Sequence, residues 1–452
     1  MNILHYALGF PPYRSGGLTM YCIDLMKTQL DQGCQVGLLW PGRMSFGNNG
    51  YVSIHKSIFE NQIPSYEIIN PLPVPLDEGV NNINAYTKPC DAKVYRDFLL
   101  WLKPDAIHIH TLMGLHKEFI DAAKNLAIRT VYTTHDYYGL CPKVTLFKDN
   151  HTCDEDSACC ECVLCNQTAL SISKVRILQS GIYRRCKDLK LVKSIREIHR
   201  EGFFDKSTNI GAIKVNRNRT EASDYQRLRE YYLLILSKID IIHFNSEVSK
   251  KIFSRFITPD KSFVINISHR GIADHRVIKE IDDKMLKITY LGPAKPYKGF
   301  GILVQVLDEI WDLGYQSFAL NLFCKTNIHA PYFKMKNGFQ QSELPNIFKN
   351  TDVLIAPSIW YETFGFTVLE ALSYGVPVLV SDNVGAKDLL KEMNFCICKP
   401  TTQSLKEKLL KIYKDRNILR LINRDIVAKK PSLLFPNSIE LIDKLYVCEK
   451  EQ

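Results

Sequence analysis

Residues 352–382, DVLIAPSIWYETFGFTVLEALSYGVPVLVSD, decide how this chain is read. An apolar run, DVLIAPS, has the length of a buried strand, and a loop with Glu362 follows it. Gly365 turns the backbone sharply into a helix, FTVLEALSYG, which ends at Gly375 before a second short apolar run, VPVLVSD. Strand, loop, helix and strand in this order form one unit of a parallel sheet. The loop also has the makings of an anion site. The amides of Phe364, Gly365 and Phe366 lie at a helix N-terminus, where N–H groups without intrahelical partners can face a diphosphate. Glu370 stands about a turn and a half further on, and its two carboxylate oxygens can accept from a ribose diol.

The same rhythm extends in both directions. Upstream, KITYLG reads as a strand, PAKPYKG as a loop, and FGILVQVLDEIWDLG as a helix stopped at Gly314, with FALNLFC as the next strand. At the start of the chain, NILHYAL precedes the loop GFPPYRSGG and a helix on which Leu18, Tyr21, Cys22, Leu25 and Met26 recur at helical spacing. QVGLLW, DAIHIHTL, RTVYTTHDYY, IDIIHFNS and KSFVINIS are further strands. At 452 residues the chain is too long for one core. It reads as α/β, with two Rossmann-like domains: residues 1–284, with an insertion over about 141–229, and residues 285–434. Residues 435–452 form a C-terminal helix expected to pack back on the first domain.

In open parallel sheets, ligands bind beyond the carboxyl ends of the strands. Gly16 and Gly17 end the first such loop ahead of a helix, and Lys298 closes another, where an ammonium can meet a phosphate as a compact charge. His110 and His135 each stand at a strand end. His110 is read as satisfied by backbone; His135, followed by Asp136, is read as functional.

Composition narrows the class. Hydrophobic residues make up 46% and charged residues 23%, and no apolar run approaches the length that crosses a bilayer. The opening MNILHYALGFPP has no basic n-region, so a cytoplasmic location is expected. The net charge is +10, yet thirteen Lys or Arg against four Asp or Glu place +9 of it within residues 171–220. A nucleic-acid surface would be broader and would carry its own motif, so nucleic acid is not an expected partner. In this segment Val175, Leu178, Ile182, Leu189, Val192 and Ile195 recur every three or four positions between basic residues, with one break at Gly181. That pattern is a basic amphipathic helix, suited to an anionic membrane surface. Six of the fourteen cysteines fall between Cys141 and Cys165. The spacing of Cys153, Cys159, Cys162 and Cys165 suits a structural zinc, against reduced thiols that simply pack a loop.

The string P-S-x-x-x-E-x-F-G-x-x-x-x-E-A-x-x-x-G-x-P-V, running from Pro357, resembles the E-x7-E region of the retaining GT-B-fold glycosyltransferases of the family 4 type. FPPYRSGGLTMY, IHIHTLMGL, THDYYGLCP and the stretch from KGF to GVPVLVSD are similar to that family as well, and the cysteine-rich loop with its basic region resembles enzymes of bacterial capsule and O-antigen assembly. The resemblance implies that the two domains face across a cleft, and it implies a nucleotide-sugar donor of UDP or GDP type and a glycan or lipid-linked acceptor. It also implies retention of configuration and no cofactor or metal required for catalysis. Carried over, Glu362 touches the donor sugar and Glu370 the ribose, Lys298 and the amides of 364–366 hold the diphosphate, Gly17 lets the N-terminal loop close, and His135 sits beside the transferred sugar. Pro293 stands where the family usually has an arginine, leaving Lys295 or Arg270 to replace that cation, and Asp388 replaces a more usual Glu. The alternatives are a nucleotide-sugar 2-epimerase, which shares the fold, and a non-catalytic nucleotide-sugar-binding protein.

Overall fold

A computed structural model describes all residues except 12, 15, 46–49, 58–62, 76–78, 155–159, 188, 190–220, 432–437 and 448–452. Two separate parallel sheets organise the chain. The first contains β1 (Asn2–Tyr6), β2 (Gln35–Pro41), β3 (Ser53–Ser57), β4 (Ser65–Ile69), β5 (Ala106–Ile109) and β6 (Arg129–Thr133). A small antiparallel hairpin, β7 (Phe147–Lys148) and β8 (His151–Thr152), stands apart from it. The first sheet resumes with β9 (Ile241–Phe244) and β10 (Ser262–Val264), in the order β10-β9-β6-β5-β1-β2-β4-β3. Only β3 runs antiparallel to its neighbour. Strand β1 lies in the middle, pairing Ile3 with Val36 of β2 and with Ala106 of β5. Helices cover both faces of such a sheet, which is why its central strands are near-continuous apolar runs.

The second sheet is built from β11 (Leu286–Tyr290), β12 (Phe318–Leu322), β13 (Phe333–Met335), β14 (Val353–Ala356), β15 (Val378–Ser381) and β16 (Ile397–Cys398). Its order, β13-β12-β11-β14-β15-β16, is all parallel and reverses direction between β11 and β14. The loops leaving β11 and β14 therefore diverge to opposite faces and leave a crevice at their carboxyl ends. Lys298 and Glu362 lie on those two loops.

Two glycines let the loops meet. Gly299 starts the helix Phe300–Asp312 at φ 72°, and a Cβ there would stand 1.9 Å from the carbonyl oxygen of Pro357. Gly365 starts the helix Phe366–Ser373 at φ 103°. The helix Phe300–Asp312 turns Phe300, Leu303, Leu307 and Ile310 inward, the i, i+3, i+7 spacing that its sequence carries.

Two sequence expectations change in detail. KSFVINIS yields a strand only over Ser262–Val264. The described part of the basic segment is two short helices, Ile172–Leu178 and Gly181–Cys186, parted at the expected break, where Ser180 leaves the helical path and caps the second by accepting from the Tyr183 amide at 3.1 Å. Val192 and Ile195 lie outside the described residues. The helix Ala222–Ser237 runs on through the end of the segment read as an insertion and covers the first core with Tyr225, Leu228, Tyr232 and Ile235. At the other end of the chain, residues 438–446 return to the first domain, where the Leu445 carbonyl accepts from Arg129 Nε at 2.7 Å. Among the described residues no helix is long and apolar enough to cross a membrane.

The contact at Gly299 predicts a contrast. Gly299→Ala forces a left-handed Ala against the Pro357 carbonyl and is expected to cost more than about 2 kcal/mol. Gly314→Ala, at φ 89° but with open space around its Cβ, is expected to cost about 1 kcal/mol. Denaturation midpoints of the two variants check this; equal losses would show that the loop contact carries no weight.

Candidate functional site

The two loops of the C-terminal sheet meet in an ion pair. Lys298 Nζ lies 2.7 Å from Glu362 Oε1, and Ser358 Oγ donates to Glu362 Oε2 at 2.7 Å. Burial pushes the Glu362 carboxyl up, but Lys298 and the Ser358 hydroxyl outweigh it and hold the group below its ordinary value. The Lys298 ammonium also lies over the Trp360 ring, 4.9 Å from its centroid. The loop backbone is fixed against the next strand: the Glu362 amide donates to Asn383 O at 2.9 Å, and the Gly385 and Ala386 amides donate to Glu362 O and Phe364 O at 2.9 and 2.7 Å. Glu370, on the following helix, is 8% exposed and accepts from Gln341 Nε2 at 2.9 Å, with His269 Nε2 at 3.4 Å.

The N-terminal domain meets this loop directly. A Cβ on Gly17 would lie 3.3 Å from Phe366, and Tyr21 contacts both Phe366, stacked with ring centroids 6.5 Å apart, and His135, tilted by 55° with centroids 4.8 Å apart. Thr363 Oγ1 donates to the His135 carbonyl at 3.1 Å. Gly16, at φ 113°, is the N-cap of the helix Gly17–Asp31. Gly16, Gly17, His135, Lys298, Glu362, Phe364, Gly365, Phe366 and Glu370 thus line one region between the domains.

His110 differs from its reading. Its ring is satisfied by two other imidazoles and not by backbone: Nε2 lies 3.0 Å from His5 Nδ1, and Nδ1 lies 3.3 Å from His135 Nε2. The reason is register. His5 on β1 stands opposite His108 on β5, so the rings of His5, His108 and His110 crowd within the sheet interior. His5 Nε2 continues to Gln29 Oε1 at 2.8 Å, and Gln29 Nε2 to Asp443 and Tyr446 at 2.8 and 3.2 Å. Tyr446 OH meets His108 Nδ1 at 2.6 Å, His108 Nε2 meets Thr133 Oγ1 at 2.6 Å, and Thr133 meets His243 Nδ1 at 2.8 Å. His243 Nε2 ends on Ile265 O at 2.8 Å. Of these residues only His110 and His135 were singled out from sequence. The available signal was His108 and His110 two apart in an apolar strand, hence on one face. Burial lowers His5 and His243 to about 4 and His135 to about 3, and holds His108 and His110 well below the ordinary value. Next to His135, Asp136 accepts from Thr111 Oγ1 and the Tyr138 amide, both at 2.9 Å, while burial raises its carboxyl to about 6.

The Pro293 carbonyl accepts from Lys295 N and Tyr290 OH. Lys295 Nζ lies over the Tyr297 ring, and Arg270 pairs with Asp31 of the N-terminal domain at 2.9 Å. Cys159 lies outside the described residues. Among the described residues, the one group of three or more metal-ligand side chains whose donor atoms converge within 4.8 Å is His5, His108 and His110. Cys153, Cys162 and Cys165 do not converge in that way, so these three thiols do not themselves form a tetrahedral set. Burial raises the Cys165 thiol to about 12, with the nearby Cys141 adding to the shift.

Residues 333–425, which run from β13 into the helix Asn417–Ala428, match the family model for glycosyl transferases group 1. Over nearly its whole length the chain superimposes on known structures. One is the sucrose-phosphate synthase of Thermosynechococcus elongatus, with a TM-score of 0.55, 12% identity and 98% of both chains covered. Another is HepE of Anabaena in complex with UDP, with a TM-score of 0.56, 14% identity, and 98% of this chain and 99% of that one covered. The fold is GT-B. In sequence, 25% of this GT-B chain aligns at 26% identity with 32% of an uncharacterized protein of the cps region of Klebsiella pneumoniae. A further alignment joins 29% of the chain, at 32% identity, to 14% of sucrose-phosphate synthase 4 of Arabidopsis thaliana. The chain therefore spans about a third or less of the length of these two curated relatives.

The buried imidazoles give the GT-B chain a pH signature. His5, His108, His110, His116 and His243 are neutral in the fold and bind protons in the unfolded chain below pH ~6.5. Their folded values are depressed, so the stability tied to their neutrality is complete above pH ~6.5. It falls toward pH ~4 by up to ~1.4 kcal/mol per pH unit for each ring. Asp136, raised to about 6, binds its proton earlier in the fold and offsets one proton over the acid part of this window. Melting temperature against pH should drop steeply between pH 6.5 and 4.5, with several protons taken up on unfolding. A flat profile would contradict the burial of neutral rings.

Proposed function

We propose that this chain transfers a sugar from a nucleotide diphosphate donor, with retention of configuration, to a glycan or lipid-linked acceptor in bacterial surface polysaccharide assembly. The observation that carries the reading is the Lys298–Glu362 pair at the switch point of the C-terminal sheet, beside a glycine-started helix N-terminus and opposite His135. Departure of a nucleoside diphosphate builds negative charge on its bridging oxygen. Lys298 and the amides of 364–366 stabilise that charge more as the bond breaks than before it. Glu362, kept ionised by Lys298 and Ser358, receives hydroxyls of the donor sugar. Glu370 exchanges Gln341 and His269 for the ribose diol. The donor of choice is of UDP type, which the HepE complexes with UDP and UDP-glucose support. The cps-region relative supports the polysaccharide setting.

Two features support an acidic, membrane-held acceptor. A cavity of about 370 Å³ in the N-terminal domain is lined by Lys88 and Arg176, with Asn70 and the neutral His116 among the other lining residues, and the two cations suit an anionic acceptor group. Beside it, Ile177, Leu178, Ile182 and Leu189 are 40–72% exposed along the basic segment. Side chains of this kind dip into a headgroup layer while the lysines and arginines meet its phosphates. Flotation with liposomes is expected to capture the protein when anionic lipid is present and to lose it at high salt; capture by neutral liposomes alone would remove the electrostatic part of the reading.

The donor site is tested by thermal stabilisation with UDP, GDP and their glucose conjugates. UDP or its sugar should raise the melting temperature, and Glu370→Gln should weaken that binding at least ~10-fold by giving up one charged acceptor. Lys298→Ala should lower kcat by ~10²–10³ through lost charge stabilisation. No stabilisation by any nucleotide at millimolar concentration would end the glycosyltransferase reading.

A further inference from the structure

The imidazole chain in the first domain has only one consistent placement of its protons. At one end, the Ile265 carbonyl can only accept, so His243 donates from Nε2 and its Nδ1 must accept from Thr133 Oγ1. With its proton so used, Thr133 accepts from His108 Nε2, and His108 Nδ1 in turn accepts from Tyr446 OH. The phenol oxygen then has lone pairs to offer and faces the Gln29 amide group. At the other end, the Asp443 carboxylate also accepts from Gln29 Nε2. Two independent anchors thus turn Gln29 the same way, with its amide toward Asp443 and Tyr446 and its carbonyl toward His5. His5 therefore donates from Nε2 to Gln29 Oε1, and its Nδ1 accepts from His110 Nε2. His110 has only Nδ1 left as an acceptor, and it receives the proton on His135 Nε2. All rings on the path are neutral, because burial suppresses a second proton on any of them.

The chain ends at the cleft. His135 is partly exposed, unlike His5, His108, His110 and His243, and packs on Tyr21, which also faces Phe366 of the other domain. Its Nδ1, on the opposite edge of the ring from Nε2, makes no hydrogen bond among the described residues. We propose that Gln29, His5 and His110 are positioning residues that hold His135 as the Nε2–H tautomer, so that its bare Nδ1 accepts a hydrogen bond from a hydroxyl of the sugar in the cleft. The ligand class rests on the glycosyltransferase reading above; the tautomer does not. The same bonds argue against a metal at His5, His108 and His110, although their donor atoms converge within 4.8 Å: all six ring nitrogens already hold partners.

The test is a long-range ¹H–¹⁵N spectrum of the full chain labelled at histidine, with His135 assigned by its loss in His135→Gln. The expected result is one tautomer at His135, protonated at Nε2 and bare at Nδ1, unchanged from pH 6 to 8. Gln29→Met, which keeps the side-chain volume but removes the carbonyl that fixes His5, should put the proton on both nitrogens of His135. It should also lower kcat at least tenfold with UDP affinity unchanged. Tyr446→Phe is the control: Asp443 still orients Gln29, so His135 should keep its Nε2 proton and activity should stay within about twofold. A proton on Nδ1 of His135 in the unaltered protein overturns the proposal without any variant. So does Gln29→Met with an unchanged His135 spectrum, Tyr446→Phe with the same mixing as Gln29→Met, or one equivalent of zinc lost on His5→Phe substitution. If UDP fails to bind the unaltered protein while the Nε2–H tautomer is found, the functional reading falls and the tautomer assignment stands.

Discussion

A parallel sheet covered on both faces gives its central strands no water, so a polar side chain placed there must find every partner inside the protein. In the N-terminal domain that constraint falls on His5, His108 and His243, all fully buried. Leaving one ring nitrogen unpaired there costs about 1–3 kcal/mol, enough to recruit partners from distant parts of the chain. Gln29 comes from the first helix, Thr133 from β6, and Tyr446 and Asp443 from beyond residue 437. The return of the C-terminal segment to the first domain is thus more than the covering of apolar surface, although Leu445 and Tyr446 do bury their side chains there.

A second consequence is mechanical. The loop that carries Glu362 is held by its own sheet through Asn383 and Gly385, and it is also tied to the N-terminal domain on either side of the cleft floor. Thr363 bonds to the His135 carbonyl through its hydroxyl, while its own carbonyl accepts from Ser246 Oγ at 2.5 Å. Asp388 reaches across to accept from the Glu247 amide and from Asn266 Nδ2. That carboxylate occupies the place where the resemblance leads one to expect Glu, and the shorter side chain still reaches the first turn of the helix Glu247–Phe253. Movement of one domain against the other must therefore break either the bonds of this loop to His135 and Ser246 or those to its own sheet.

How far the site could be read from sequence follows from which contacts are local. Glu362, Gly365, Phe366 and Glu370 lie within nine residues of one another, and a glycine at a strand-to-helix turn announces the geometry. Lys298 was readable for the same reason, as a cation just before a helix. The imidazole chain was not readable, because it depends on the register that sets His5 against His108 and on a tyrosine 338 residues away from His108. His110 was misread for this reason: a strand-end histidine ordinarily finds backbone, and only the neighbouring strand shows that its position is filled by His5. The basic segment was legible for the opposite reason: its period and its one break are local, and the second helix starts at Gly181, with Ser180 as the cap that parts the two.

The proposed chemistry gives the neutrality of His135 a purpose. As the bond to the diphosphate breaks, negative charge gathers on the leaving oxygens and positive charge on the sugar ring. The fixed positive elements, Lys298 and the helix amides, sit with the phosphates. An imidazolium on the sugar side would repel the developing positive charge and bind the charge-neutral ground state comparatively better, which is the wrong order for catalysis. Burial prevents that by holding His135 at about 3. Neutrality alone would still leave either ring nitrogen free to carry the proton. The anchored chain from Asp443 and Ile265 removes that second freedom, and it leaves an uncharged acceptor on the side of the cleft where a cation would be costly.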